Sequence, residues 1–161
     1  MPLLIRPLDP VADLDAVEGL YLRAADYWIL ADRRAPDRQK AAEFFTDAPP
    51  DCDPAASHRL GLFQDGTLAG VAELSFGFPL AGDAYLGLML LDATRRGQGL
   101  GAQLLAEVQA RAAPAPRLCL AVLQANPRGR AFWQRHGFTD TGVSGHDAET
   151  GHTLHRMVKP L

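Results

Sequence analysis

Apolar and polar positions divide the chain into a succession of short strands and helices. Leu3, Leu4 and Ile5 predict a strand over residues 3–7, and Asp9-Pro10 then supplies an N-cap and a first-turn proline for a helix. Leu14, Val17, Leu20, Tyr21 and Ala24 recur at helical spacing, so one face of that helix turns to the core. Residues 26–47 are expected to be helical in part, with a second helix running from Pro36-Asp37 through Phe45. Three prolines between residues 48 and 56 deny both helix and ladder and predict a loop. Two strands, 59–64 and 67–78, flank Asp65-Gly66, a dipeptide suited to the positive φ angles of a tight hairpin. After a turn at 79–83, residues 85–91 are too continuously apolar for a half-exposed strand and read as a central one covered on both faces. Leu100, Leu104, Leu105, Val108 and Ala112 line one face of a helix over 100–112, with Gln103, Glu107 and Arg111 opposite. Pro114 and Pro116 stop it. A buried strand follows at 118–123, then a short helix from Asn126-Pro127 to His136 closed by Gly137, and closing strands at 141–144 and 153–158. The order β-α-α-β-β-β-α-β-α-β-β, without internal repeat, indicates a mixed α/β layer fold.

Size and charge narrow the classes. A chain of 161 residues and 17.4 kDa reads as one domain spanning 1–161. At this mass about 70% of the unfolded surface is buried on folding, so no disulfide or metal staple is required. Sixteen basic and 19 acidic residues give a net charge of −3. That balance disfavours a general nucleic-acid binder. Cys52 and Cys119 have no metal-ligand spacing and suit a reduced cytoplasm. Met1-Pro2 leads into the first strand without a basic region ahead of a long apolar segment, so neither a signal peptide nor a membrane helix is expected. A soluble cytoplasmic protein is the expectation.

Chemistry concentrates in YLGLMLLDATRRGQGLGAQLL, residues 85–105, where an apolar strand meets an amphipathic helix through a basic, glycine-rich turn. Gly97, Gly99 and Gly101 remove side chains where the backbone turns sharply, leaving N–H groups that converge at a helix start. Such a start carries about half a positive charge and unpaired donors, which suit a phosphate or pyrophosphate. Arg95 and Arg96 add cationic groups beside it. A P-loop is excluded, because Gly101-Ala102-Gln103 supplies neither lysine nor hydroxyl. The dinucleotide pattern is formally met by Gly97, Gly99 and Ala102, but residues 119–126 hold no acidic partner for a ribose. A plain strand-to-helix turn with solvated arginines remains open on the glycines alone.

Arg96, Gly99 and Gly101 satisfy the pattern [QR]-x-x-G-x-[GA], and NPRGRAFWQRHGF over 126–138 resembles a second motif, N-x-x-A-x-x-F-Y followed by G-F. In this order the two stretches resemble motifs A and B of the GNAT superfamily of N-acetyltransferases, and the element order is similar across most of the chain. The resemblance implies a twisted, mostly antiparallel mixed sheet with a V-shaped split between the parallel strands 85–91 and 118–123. It implies acetyl-CoA as cosubstrate, with Met89, Leu90 and Leu91 forming the edge that pairs with the pantetheine arm. The Leu91 N–H would polarise the thioester carbonyl. Arg96, Gly97, Gln98, Gly99, Leu100, Gly101 and Ala102 would surround the pyrophosphate, with Arg95 a surface charge near the nucleotide. Asn126 would contact the pantetheine region, although Asn-Pro is also a good helix opener. Phe132 and Trp133 fall where relatives carry F-Y, a tyrosine that often protonates the departing thiolate. Indole cannot act as that acid, so Trp133 is expected to pack against the cofactor arm or the core.

Glu73 interrupts an apolar run beside the expected acetyl strand and is the leading candidate for general base; the alternative is an exposed strand-face carboxylate. Tyr85 could orient substrate or donate a proton, or be a core-edge aromatic. Asp26, Tyr27 and Trp28 fall among the early helices, which with the 48–56 loop and the final hairpin are expected to wall the acceptor pocket, Tyr27 and Trp28 binding substrate. His136 ends a helix, and His146, His152 and His155 read as a solvated hairpin. Asp51 and Asp53 read as a solvated turn, and no metal is implied. The implied reaction is direct acetyl transfer to a primary amine of a small molecule or peptide, with Cys119 buried and not a nucleophile. A catalytically silent acyl-CoA binding or sensing module is the alternative of another class, and a longer acyl donor or a non-amine acceptor is an intermediate one. No nucleic-acid or membrane partner is implied, and dimerisation, common in the family, leaves a homodimer open.

Overall fold

Twelve principal elements form in the computed structural model, which describes residues 2–161; Met1, where the reading of a leaderless start begins, lies outside them. In chain order they are β1 (Leu3–Pro7), α1 (Leu14–Arg23), α2 (Ala25–Asp32), α3 (Arg38–Glu43), β2 (His58–Gln64), β3 (Thr67–Phe76), β4 (Ala84–Leu91), α4 (Leu100–Ala112), β5 (Arg117–Leu123), α5 (Pro127–Arg135), β6 (Thr139–His146) and β7 (Thr153–Pro160). They build one seven-stranded sheet of order β1-β2-β3-β4-β5-β7-β6. Only β4 and β5 run parallel, joined through α4, which is the crossover a parallel pair requires. Leu104, Leu105 and Val108 of α4 pack on one face of the sheet with Leu60, Leu74 and Leu118. Val17, Leu20 and Tyr21 of α1 cover the other face against Leu68, Val71 and Leu90.

The early segment holds three helices where the pattern suggested two. Ala24 leaves helical geometry between α1 and α2, and α3 begins where Asp37 accepts the Lys40 N–H. Asp9 does cap a turn, accepting from the Val11 and Ala12 N–H groups at 2.9 and 2.6 Å. The helix itself starts five residues later, because Asp13 is committed to Arg6 and to the Asp9 N–H. β3 stops at Phe76, where Gly77 adopts φ +109°. In the proline-rich loop, Pro54 starts a short 3-10 turn capped by Asp53.

β4 also departs from expectation: its C-terminal half is not covered on both faces. The β3–β4 register steps from Glu73↔Leu88 to Leu74↔Leu86, leaving Gly87 as an extra residue. Such a bulge bends its strand and sharpens the twist. β5 pairs with β4 only at Ala84↔Leu118 and Tyr85↔Cys119, and beyond that point the two diverge. Leu88, Met89 and Leu91 are therefore half-buried and Gly87 exposed.

A bidentate pair fastens the closed end of this V. Arg117 on β5 donates to both oxygens of Asp83, just before β4, at 2.7 Å each. The arginine bond holds the Asp83 carboxyl below its ordinary range against the cost of burial. The pair's contribution is present above the unfolded carboxylate pKa and lost as pH falls through the lower folded value. Arg117→Ala leaves a buried carboxylate without its partner, and the expected cost is about 2 kcal/mol, read as a lower urea midpoint at pH 7.

Candidate functional site

The open end of the V exposes backbone donors. The Asp92 N–H donates to the Ala69 carbonyl on β3 at 2.8 Å. Because N–H groups alternate sides along a strand, those of Met89 and Leu91 face away from β3, into the gap left by β5. The Leu91 carbonyl lies 3.5 Å from Arg96 Nη2. Asp92 locks the turn that follows, accepting from the Thr94 N–H at 2.9 Å and from Arg23 at 2.7 Å. Burial opposes its ionisation, but the Thr94 hydroxyl and Arg23 outweigh that and hold its carboxyl below the usual range.

Gly97 and Gly99 adopt φ +80° and +78°, a backbone that glycine reaches without Cβ strain. Gly99 is the N-cap of α4 and offers no side chain to its first turn. The N–H groups there keep their dipole and their unmet donors for a ligand anion. Gly101 works differently. It lies inside α4, where a Cβ would come within 3.2 Å of both Leu91 Cδ1 and Phe132 Cε2, so its role is close approach and not turning. Arg96 Nη1 donates to Asp26 at 2.6 Å, and that bond holds the Asp26 carboxyl low. Arg95 is not the surface charge expected: half-buried, it donates to Gln64 Oε1 at 2.7 Å, and Gln64 in turn reaches Gln98 at 3.3 Å. Both arginines are thus partnered, unlike the solvated pair of a plain turn.

On the face toward α1–α3, Glu73 is 5% exposed, which rules out the exposed strand-face alternative. It accepts from the Ser75 hydroxyl, whose oxygen is 2.7 Å from that of Ser57. Burial pushes the Glu73 carboxyl above its ordinary pKa, only partly offset by the Ser75 bond and the Arg59 charge. Its Oε2 lies over Gly87, in the space a Cβ would take there, so the bulge glycine admits the carboxylate. Glu73, Gly87 and Leu88 line a cavity of about 300 Å³ together with Tyr21, Tyr27 and Trp28. Trp28 is buried, its ring centroid 4.8 Å from that of Tyr21 in a tilted contact and 5.1 Å from that of Tyr27 edge-on.

The early helices and the final hairpin both wall this cavity, the latter through Asp147, Thr150, His152 and Leu154. The 48–56 loop does not; its residues Pro54, Ala55 and Ala56 line a separate groove with Pro10 and Arg111. Asp26 is drawn to Arg96 instead of the cavity. His152 is not solvated: it is 4% exposed, with Nε2 at 2.6 Å from the Leu30 carbonyl, and this contact ties hairpin to α2. Tyr85 stands at the last β4–β5 pairing, edge-on to Phe78 at 5.0 Å and outside the cavity lining. Asn126 caps α5, accepting the Gly129 N–H at 3.0 Å. Phe132 and Trp133 are half-buried and edge-on to one another, and Trp133 also packs on Phe138. Cys119 is fully buried. Among the described residues no group of three or more His, Cys, Asp or Glu could hold a metal, and no helix is long and apolar enough to cross a membrane. Sequence reasoning missed Ser75 and Asp47. Ser75 was readable, since position i+2 shares the Glu73 face of a strand.

Residues 21–138 match the model of a family described as the acetyltransferase (GNAT) family. Over its whole length the chain is similar to an acetyltransferase from Thermus thermophilus, at 27% identity and a TM-score of 0.81, covering 98% of that chain. It is also similar to a PaiA N-acetyltransferase from Thermoplasma acidophilum solved in complex with coenzyme A, at 20% identity and TM-score 0.72 with 100% of both chains covered. An N-acetyltransferase from Staphylococcus aureus gives 18% identity and TM-score 0.74 with 99% of each chain covered. The last two likenesses speak for the fold. No curated protein matches the chain.

Proposed function

Because the chain belongs to the GNAT acetyltransferase family, we propose that it transfers the acetyl group of acetyl-CoA directly to a primary amine of a small molecule or peptide. The observation that carries this reading is the juxtaposition at Gly87. On one side of β4 the N–H groups of Met89 and Leu91 face an open gap that leads to the uncapped start of α4. On the other a buried carboxylate looks into a cavity.

The α4 N-terminus, Gly97 to Gly99 and Arg96 would hold the pyrophosphate, and the Met89–Leu91 edge the pantetheine, with Phe132 and Trp133 beside it. Tyr27 and Trp28 would wall the acceptor. Acetyl-CoA supplies an activated thioester with a good leaving group. The Leu91 N–H would meet the negative charge that develops on the thioester oxygen, a donor typically worth about 3 kcal/mol. Glu73 takes the proton from the incoming ammonium. An amine of pKa about 10.4 costs over 4 kcal/mol to deprotonate at pH 7, so a base matters most at this step. A thiol of pKa about 8.5 leaves as thiolate for only about 2 kcal/mol, so the reaction tolerates Trp133 in place of a phenol. Tyr85, with its phenol pushed up by burial and no place in the cavity lining, is not needed as the acid.

Asp26 competes with a pyrophosphate for Arg96. Asp26→Asn removes an exposed negative charge beside the anion site, and acetyl-CoA affinity is expected to rise about two- to fivefold at low salt, the gain shrinking as salt is added. Unchanged affinity in titration calorimetry would place the pyrophosphate away from Arg96. The function itself is tested by thiol release from acetyl-CoA across a panel of amines, with binding measured alongside. Turnover with at least one amine supports transfer. Binding without turnover across the panel favours an acyl-CoA sensing module.

A further inference from the structure

We propose that the acceptor amine also carries a carboxylate, as a free amino acid does, and that Arg156 receives it on the sheet face that bears Glu73. This rests on the acetyl-transfer reading and narrows its acceptor. Residues opposite one another in a ladder share a face, as do residues two apart along a strand. The pairs Ser75↔Tyr85, Tyr85↔Cys119 and Ala121↔Arg156 therefore carry the Glu73 face across β4 and β5 to β7. The Arg156 guanidinium reaches back toward the closed end of the V. Its Cζ lies 5.1 Å from the ring centroid of Phe78, whose ring stands edge-on to Tyr85.

Arg156 is half-buried, and among the described residues its guanidinium has neither hydrogen bond nor ion pair; its Nε is buried without a partner. Every other arginine buried to that degree or more donates to a carboxylate, a side-chain amide or a backbone carbonyl. A cation drawn this far from water without an acceptor is costly to the fold, and an anion that binds it offsets that cost. Glu73 does not supply the anion, since the two form no ion pair, yet both charges are felt at one phenol. Burial raises the Tyr85 pKa, Arg156 opposes the rise and Glu73 adds to it. In strand order between Glu73 and Arg156, two residues beyond the last β4–β5 pairing, Gly87 and Ala121 are small and exposed. They leave the sheet surface bare for a ligand. Glu73 and Gly87 line the cavity and Arg156 does not, so the ammonium end of the acceptor is the enclosed one and the carboxylate the outer one. The planar guanidinium suits the two oxygens of that carboxylate.

Glycine, L-leucine, β-alanine and γ-aminobutyrate are compared with their amides, which keep the length and the amine and remove the negative charge. At the length that fits, kcat/KM is expected to favour the acid over its amide by at least about tenfold, the worth of one charge-assisted contact. Arg156→Met keeps an apolar stem over Phe78 and brings that ratio to within about twofold of one, while Arg156→Lys retains part of it. Because the guanidinium bonds nothing in the free protein, acetyl-CoA affinity by calorimetry and the urea midpoint of Arg156→Met stay close to wild type. Acids and amides served equally, no acid acetylated, or a preference that survives Arg156→Met overturns the inference on the acceptor by itself, provided that wild type binds acetyl-CoA. A fall in acetyl-CoA affinity in Arg156→Met also overturns it, by giving the guanidinium to the cosubstrate. Absence of acetyl-CoA binding to wild type overturns both readings.

Discussion

Glu73→Gln is expected to lower kcat/KM for acetyl transfer by about 10²- to 10⁴-fold, the usual worth of a general base, while acetyl-CoA affinity changes by less than about twofold. Glutamine keeps the size and the acceptor for Ser75 but cannot take a proton. The wild-type rate falls as pH drops through the Glu73 pKa, and burial places that limb above the ordinary carboxylate range. Arg59, opposite Glu73 on β2, does not pair with it directly; its guanidinium is spent on the carbonyls of Phe44, Asp47 and Pro54. The Asp47 charge pushes in the same direction as burial. A stability effect of opposite sense accompanies the loss. A carboxyl whose folded pKa is raised stabilises the fold fully below its unfolded pKa and loses that contribution as pH rises through the folded value. At pH 7 the buried charge is therefore a burden that glutamine removes, and Glu73→Gln raises the urea midpoint there, with the gain vanishing in acid. Full activity in this variant would contradict the role of Glu73. An acid limb at the ordinary carboxylate range would contradict its burial.

Gly99→Val carries the second large effect. A left-handed backbone costs an ordinary residue about 1–2 kcal/mol and a β-branched one more. Gly99 holds φ +78° with nothing within 4 Å of its would-be Cβ, so the cost is conformational and falls on the α4 start. Acetyl-CoA affinity is expected to fall at least about tenfold as the loop leaves the conformation that presents its N–H groups. Gly66, at φ +80° in the β2–β3 hairpin and equally unobstructed, is the control. Gly66→Val carries the same strain and a similar stability loss but no change in affinity. Equal affinity losses in both variants would mean that Gly99 acts through the fold as a whole.

Local patterns foretold what local physics governs. The leucines at 100, 104 and 105 with Val108 and Ala112 bury as one stripe, because helical spacing alone decides their face. Asp65-Gly66 turns the hairpin with positive φ at both residues, and Gly97 and Gly99 turn the loop the same way. The V-split could be anticipated only through the family resemblance, and its local cause, the extra residue Gly87, has no signature in a run as apolar as residues 85–91. Glu73 stood out as a polar interruption, but its burial depends on α1–α3 closing over β3, which strand alternation cannot see. The cavity was the least legible part. Its walls come from segments as distant as α2 and the β6–β7 turn, joined by His152 to Leu30 and by Arg33 to Thr150. Contacts between residues more than a hundred positions apart leave no periodic trace, which is why His152 read as solvated and the 48–56 loop as a wall.

Titration calorimetry of acetyl-CoA into folded wild-type protein, with Gly99→Val and Gly66→Val beside it, tests the central claim most directly. The account predicts saturable one-to-one binding that weakens in Gly99→Val and persists in Gly66→Val. Folded wild-type protein that takes up no acetyl-CoA, or a Gly99→Val variant that binds it as tightly as wild type, would contradict it.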